Sequence, residues 1–217
     1  MADQIQKAYQ DSKNIYDDVL TQGNIFSKLY IKFFWSGTDD NEIARKVLDY
    51  IPDDFSGKLL DVPVGTAVFT YKKWGMLSNA DITCLDYSED MLILAKERMK
   101  DFSNVKCIQG DVGNLPLDNN SCDVVVSMNG FHAFPDKKVA FKETYRVLKP
   151  GGKFIACFYI RGEKKATDWL VRNILSKKGW FTPPFPTREQ LMKILDKLYK
   201  DIDIHVDGSM VYFSAVK

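Results

Sequence analysis

Three aspartates stand where the chain turns out of apolar runs: Asp61, Asp86 and Asp111. The first opens Asp61-Val62-Pro63-Val64-Gly65-Thr66-Ala67. Small residues in such a turn let the backbone fold tightly and aim amide N–H groups at a ligand. A dinucleotide loop uses three glycines, and only Gly65 is present. Taken alone, this loop reads as a ligand cradle or as a plain strand–helix turn. Asp86 follows 25 positions later, at the end of the run DITCLD. An acid there can accept hydrogen bonds from the ribose hydroxyls of an adenosine ligand, or simply cap the next helix. Asp111, within Gly110-Asp111-Val112, can accept from an adenine amino group while apolar neighbours cover the ring, or close a turn. Leu148-Lys149-Pro150-Gly151-Gly152 stops a helix and turns the chain into its next run.

The other reactive side chains are few. Of the two histidines, His132 follows an apolar run and is a candidate base, whereas His205 sits in a hairpin strand and reads as structural. Cys84, Cys107, Cys122 and Cys157 are widely spaced, without a C-x-x-C pair or nearby histidines, so no metal site is expected. They read as small buried hydrophobes of a reduced, cytoplasmic protein. Net charge is +1, which points to neither nucleic acid nor a charged surface as partner. No signal-type segment opens the chain, and no apolar stretch is long enough to span a bilayer.

The elements that must carry these residues change period along the chain. Up to about Trp35 apolar residues recur at helical spacing, and a further helix from Thr38 or Asp39 carries Ile43, Ala44, Val47, Leu48 and Ile51 and stops before Pro52. Strands are expected at 58–64, 81–86, 105–109, 122–128 and 153–160, with helices from 66 to about 76, from Ser88 onward, and over 136–148. Strand–helix alternation with continuous Val, Ile and Leu runs predicts a parallel sheet covered on both faces. After Ile160 the alternation breaks. A helix restarts at Thr187 with Gln190 as a capping box, and 202–206 and 210–216 form a closing hairpin around Asp207-Gly208. The chain is read as one domain: a helical lid segment (1–38), a cofactor-binding core (39–160), and an insert, helix and hairpin (161–217).

Between about residues 40 and 160 the chain resembles the class I S-adenosylmethionine-dependent methyltransferases, in the group that includes the ubiquinone/menaquinone methyltransferases. The stretches that carry the resemblance are LLDVPVGTAVFT (59–70), CLDYSEDMLILAKERM (84–99), IQGDVGNLPLDNNSCDVVVSMNGFHAFPD (108–136) and YRVLKPGGKF (145–154). It implies an α/β, Rossmann-like, doubly wound sheet of seven strands, mostly parallel with the last antiparallel, plus N-terminal lid helices. It implies S-adenosyl-L-methionine as cofactor, leaving as S-adenosyl-L-homocysteine. Asp61 and Gly65 would border its methionine end and Asp86 its ribose, with Val62, Pro63, Thr66, Ser88 and Gly110 also among the cofactor-binding residues. Tyr87 and Met91 would lie near the adenine, Asp111 and Val112 would border its ring, and Asn129, Gly130 and His132 would lie beneath the sulfonium. Pro63 and Ala67 depart from the family's pattern, standing where it has glycine.

Methyl transfer from a sulfonium is a direct displacement, so the protein must align the acceptor and exclude water. A base is needed only for hydroxyl or acidic-carbon acceptors, and no catalytic residue is assigned. The acceptor pocket is expected from the aromatic residues of the lid and the insert, with Tyr30, Trp35 and His132 as its candidates. The expected acceptor is a small molecule and not a nucleic acid, because Met128-Asn129-Gly130-Phe131 lacks the Asn/Asp-Pro-Pro-aromatic signature used on flipped bases. Two alternatives are a nicotinamide-dependent oxidoreductase and an S-adenosylmethionine-binding protein without catalysis.

Overall fold

The computed structural model describes residues 40–217. Its elements in chain order are α1 (Asp40–Leu48), β1 (Lys58–Asp61), α2 (Tyr71–Met76), β2 (Asp81–Asp86), α3 (Glu89–Arg98), β3 (Val105–Gln109), β4 (Cys122–Met128), α4 (Lys137–Val147), β5 (Leu148–Tyr159), α5 (Lys165–Leu170), a π-helical turn (Val171–Leu175), α6 (Arg188–Leu198), β6 (Lys200–Asp207) and β7 (Met210–Val216). The seven strands form one sheet in the order β3-β2-β1-β4-β5-β7-β6. β1 to β5 run parallel, and β7 is antiparallel to both β5 and β6.

Neighbouring residues of a strand bury on opposite faces, and each face is roofed by helices. Leu59, Val124 and Val126 pack with Ile43 and Val47 of α1, Trp74 of α2 and Leu92 of α3. Leu60 and Val125 pack on the other side with Phe141 of α4 and Leu191 and Leu195 of α6. Burial on both faces explains why the central strands read as unbroken apolar runs.

Local signals set the element ends. Ser88 caps α3 by accepting from the Met91 N–H, with Glu89 and Asp90 in the first turn, where the helix dipole is positive. Asp136 caps α4 through the N–H groups of Lys138 and Val139. Thr187 and Gln190 form the expected reciprocal capping box at α6.

Several boundaries differ from expectation, three of them at turns beside the sheet. The helix expected from Thr66 starts only at Tyr71, because Gly65 (φ +55°) and Ala67 (φ +60°) hold the intervening turn in the left-handed region. The first strand ends at Asp61, three residues early, where the chain enters the cis Val62–Pro63 peptide. β5 begins at Leu148 instead of Lys153, since Leu148 already pairs with Cys122 and a register shift absorbs the Pro-Gly-Gly turn.

Candidate functional site

β1, β2 and β4 lie side by side and end on one edge of the sheet. Their ends bring together Asp61, Pro63, Gly65, Thr66, Asp86, Met91 and Asn129, which line one cleft with Val64, Val68, Phe69, Thr70 and Met128. The convergence follows from topology. β2 lies to one side of β1 and β4 to the other, so a crevice opens at the strand ends where the chain's winding reverses.

Asp61 is the most unusual group there. Its side chain is fully buried, and Oδ2 accepts from Trp74 Nε1 at 2.9 Å. Oδ1 makes no hydrogen bond of good geometry among the described residues, although the Thr70 hydroxyl lies near enough to favour the ionised form. Burial dominates and pushes the carboxyl up to about 7; the neighbouring Asp86 charge adds to the rise, and Trp74 and Thr70 oppose it. A half-satisfied buried carboxylate that lines a cleft is an acceptor prepared for a cation or a strong donor.

Asp86 fixes the adjoining wall. Its Oδ2 accepts from the Gly65 N–H at 2.8 Å and its Oδ1 from the Ser88 N–H at 2.9 Å. These bonds tie the glycine turn to the end of β2. The Tyr87 N–H also lies near enough to favour the ionised form, and the carboxylate keeps acceptor capacity for a ligand hydroxyl. Burial pushes this carboxyl up as well, against the pull of its backbone donors.

The turn is held from behind by Arg98 of α3. Its guanidinium donates to the Thr66 carbonyl at 2.7 Å and stacks over the Tyr71 ring. Gly65 faces open space, whereas Ala67 is buried in the core and does not line the cleft. The departures from the glycine pattern therefore have different consequences. Pro63 borders the cleft, but the Ala67 methyl group is directed into packing. Asn129, at φ +55°, presents the end of β4. Behind it, a methyl group on Gly130 would collide with Pro63, Phe134 and Ser127, so only glycine lets these two loops close on each other.

Other expected site residues are placed outside this cleft. Val62 and Val112 are buried in the core beneath the sheet edge. Ser88 serves α3 as its cap, Tyr87 is exposed, and the Gly110 N–H donates to the Asp86 carbonyl. Asp111 is exposed, and its Oδ1 accepts from the Gly113 N–H at 2.7 Å. The 111–121 loop that follows is fastened to α4. Arg146 donates to the Leu115 and Leu117 carbonyls and pairs with Glu143, which accepts from the Leu115 N–H. Tyr30 and Trp35 lie outside the described residues.

His132 is buried and is not brought to the cleft. Its ring stacks on Phe181 at 4.0 Å, and its Nδ1 accepts from the Tyr159 N–H at 3.4 Å. Burial, with Lys137 nearby, lowers it to about 3, so the imidazole is neutral. Trp74, Thr70 and Arg98 were not anticipated from sequence. No spacing rule connects a donor on one helix to an acid on a strand.

Residues 60–156 match a family described as a methyltransferase domain. The chain is 33% identical over 152 residues to a demethylmenaquinone methyltransferase of Staphylococcus carnosus, covering 69% of this chain and 58% of that one. A demethylmenaquinone methyltransferase of Staphylococcus haemolyticus is 42% identical over 99 residues, 45% of this chain and 41% of its own. The chain thus spans about half the length of the curated relatives it matches. Among solved structures, an S-adenosylmethionine-dependent methyltransferase of Thermotoga maritima superposes with a TM-score of 0.72 at 20% identity, covering 98% of this chain and 99% of the other. A phosphoethanolamine N-methyltransferase of Haemonchus contortus, in complex with S-adenosyl-L-methionine, gives 0.68 at 19% identity over 81% of this chain and 52% of its own. Strand order, the cleft at the ends of β1, β2 and β4 and the matched segment agree. Residues 60–156 match the methyltransferase-domain family, the fold is the one seen in solved S-adenosylmethionine-dependent methyltransferases, and the sequence is similar to that of demethylmenaquinone methyltransferases.

Proposed function

We propose that this chain transfers a methyl group from S-adenosylmethionine to a small-molecule acceptor. The observation that carries the reading is Asp61, a buried carboxylate with one oxygen short of a well-formed hydrogen bond, in a cleft shared with Gly65 and Asp86. A ligand with an ammonium at one end and ribose hydroxyls further along meets both acids in turn. The cleft measures about 60 Å³, the size of a small polar head rather than of a whole nucleoside. The amino-acid end of the ligand is assigned there. The adenosyl part is assigned to the surface beyond Asp86, toward Tyr87 and Asp111.

When bound, S-adenosylmethionine supplies an electrophilic methyl on a positively charged sulfur. Asp61 offers its under-satisfied oxygen to the ammonium, and Trp74 keeps that carboxylate aimed. Asp86 accepts from the ribose hydroxyls while holding the glycine turn through the Gly65 N–H. Asn129 and Gly130 shape the floor at the end of β4. These residues bind and orient, which is the main demand of a displacement on an already activated carbon. None of them is assigned a proton-transfer role. A small-molecule acceptor is supported by relatives and neighbours named for demethylmenaquinone and phosphoethanolamine.

Calorimetry with S-adenosylhomocysteine and with reduced nicotinamide dinucleotide tests the cofactor assignment. The first is expected to bind and the second not. The opposite order would refute it. Gly65→Val is expected to abolish binding without unfolding the chain, because a β-branched residue at φ +55° is strained and its side chain enters open cleft space.

A further inference from the structure

A second cavity, of about 680 Å³, lies between α4, the 161–186 insert and α6. It shares no lining residue with the cleft that holds Asp61 and Asp86. Its volume falls in the range of small-molecule sites, about 300–1,000 Å³. Phe131, Phe158 and Phe185 supply apolar and aromatic walls. Ser176, on the insert, also lines it, and its buried Oγ has no hydrogen-bond partner among the described residues.

The charge of the lining is one-sided. Lys137, Lys138, Arg161 and Arg172 face a single acid, Asp168. Both oxygens of that acid are engaged, Oδ1 by the Tyr159 hydroxyl at 2.6 Å and Oδ2 by the Gly162 N–H at 3.0 Å. Lys137 is committed to the Phe134 and Thr182 carbonyls, and Arg161 Nε to the Phe185 carbonyl. Lys138 and Arg172 have no carboxylate partner among the described residues. Arg172 is carried by the π-helical turn Val171–Leu175, an irregularity that recurs at functional sites.

We infer that this cavity is a binding site for an organic anion: a molecule with an apolar, ring-bearing body against Phe131, Phe158 and Phe185 and a carboxylate or phosphate held by Arg172 and Lys138. A planar guanidinium suits either acid group, and Arg172 and Lys138 are both exposed, so an acid group gains two cationic partners that a neutral or cationic ligand does not use. The inference is independent of methyl transfer, since it uses none of the cofactor-cleft residues.

The test is titration of the full chain with 1-naphthoate, 1-naphthyl phosphate, 1-naphthol and 1-naphthylmethylammonium, followed by calorimetry. Either or both acids are expected to bind at least ten-fold tighter than the alcohol, and the ammonium not to bind. The double variant Arg172→Gln/Lys138→Gln is expected to weaken the acid about ten-fold and leave 1-naphthol unchanged. Lys106→Gln, on a distant strand, should change nothing. Ser176→Leu, which fills the cavity from its wall, is expected to remove acid and alcohol alike, with thermal melting showing that each variant is folded. Equal affinity for acid and alcohol, undiminished acid binding by the double variant, or an equal loss in Lys106→Gln would each overturn the assignment.

Discussion

Asp61→Asn separates the two roles of the buried acid. The substitution keeps an oxygen for Trp74 Nε1 and replaces a titratable oxygen with an amide of nearly equal size. The folded-state carboxyl is raised from 3.8 to about 7, mainly by burial. A raised carboxyl binds its proton more tightly in the folded state, so stability is full below about pH 4 and is lost as pH rises toward 7. At about 1.4 kcal/mol per unit, the loss reaches about 4 kcal/mol, and about 2–4 kcal/mol after allowance for relaxation of the site. The Asn variant has no such penalty. In the ligand-free chain it should match the native protein near pH 4 and exceed it in stability by about 2–4 kcal/mol at pH 8. Urea unfolding at half-unit pH intervals reads this directly. The same variant should bind S-adenosylmethionine about 10- to 100-fold more weakly, because a charge-assisted partner of the ammonium is gone. Equal pH slopes for the two proteins would refute the buried-acid argument. A flatter slope with undiminished ligand affinity would refute only the assignment to the ammonium.

Further outcomes follow from the same geometry. Binding of S-adenosylmethionine at pH 6 should release a fraction of a proton, as the ammonium draws Asp61 to its ionised form; calorimetry in buffers of different ionisation heat measures it. Asp86→Ala should weaken S-adenosylhomocysteine by about 1–3 kcal/mol and speed amide exchange at Gly65 and Ser88, whose N–H groups lose their acceptor. Gly130→Ala should destabilise the fold by about 1–3 kcal/mol in chemical denaturation, since Pro63, Phe134 and Ser127 must all move. Thr187→Ala should cost about 1 kcal/mol through loss of the α6 cap, with no effect on ligand affinity.

The parts of the fold legible in the sequence are those governed by local pattern. The strands at 81–86 and 122–128 are found at the expected bounds, because a strand buried on both faces is written as an unbroken apolar run. The α6 capping box and the closing hairpin are equally local. The stretch from Gly65 to Thr70 misled for a physical reason. Its composition permits a helix, but two left-handed residues postpone the helix to Tyr71. The acids at the ends of β1 and β2 could be chosen from spacing and resemblance. Their surroundings could not, since Trp74 under Asp61 and Arg98 behind Thr66 are contacts between distant elements. His132 shows the converse. Its place after β4 suggested an open site, while its neighbours in space, Phe181 and Tyr159, enclose it.

The Arg146 clamp bears on how fast a ligand can be recognised. One side chain on α4 crosslinks the carbonyls of Leu115 and Leu117 and pairs with Glu143, which accepts from the Leu115 N–H. These bonds brace the loop in the ligand-free chain. An incoming ring would meet a finished wall, and little of its association free energy would be diverted into freezing the chain. Loosening that one fastening, far from any reacting atom, would turn a rigid template into one that each ligand must mould for itself.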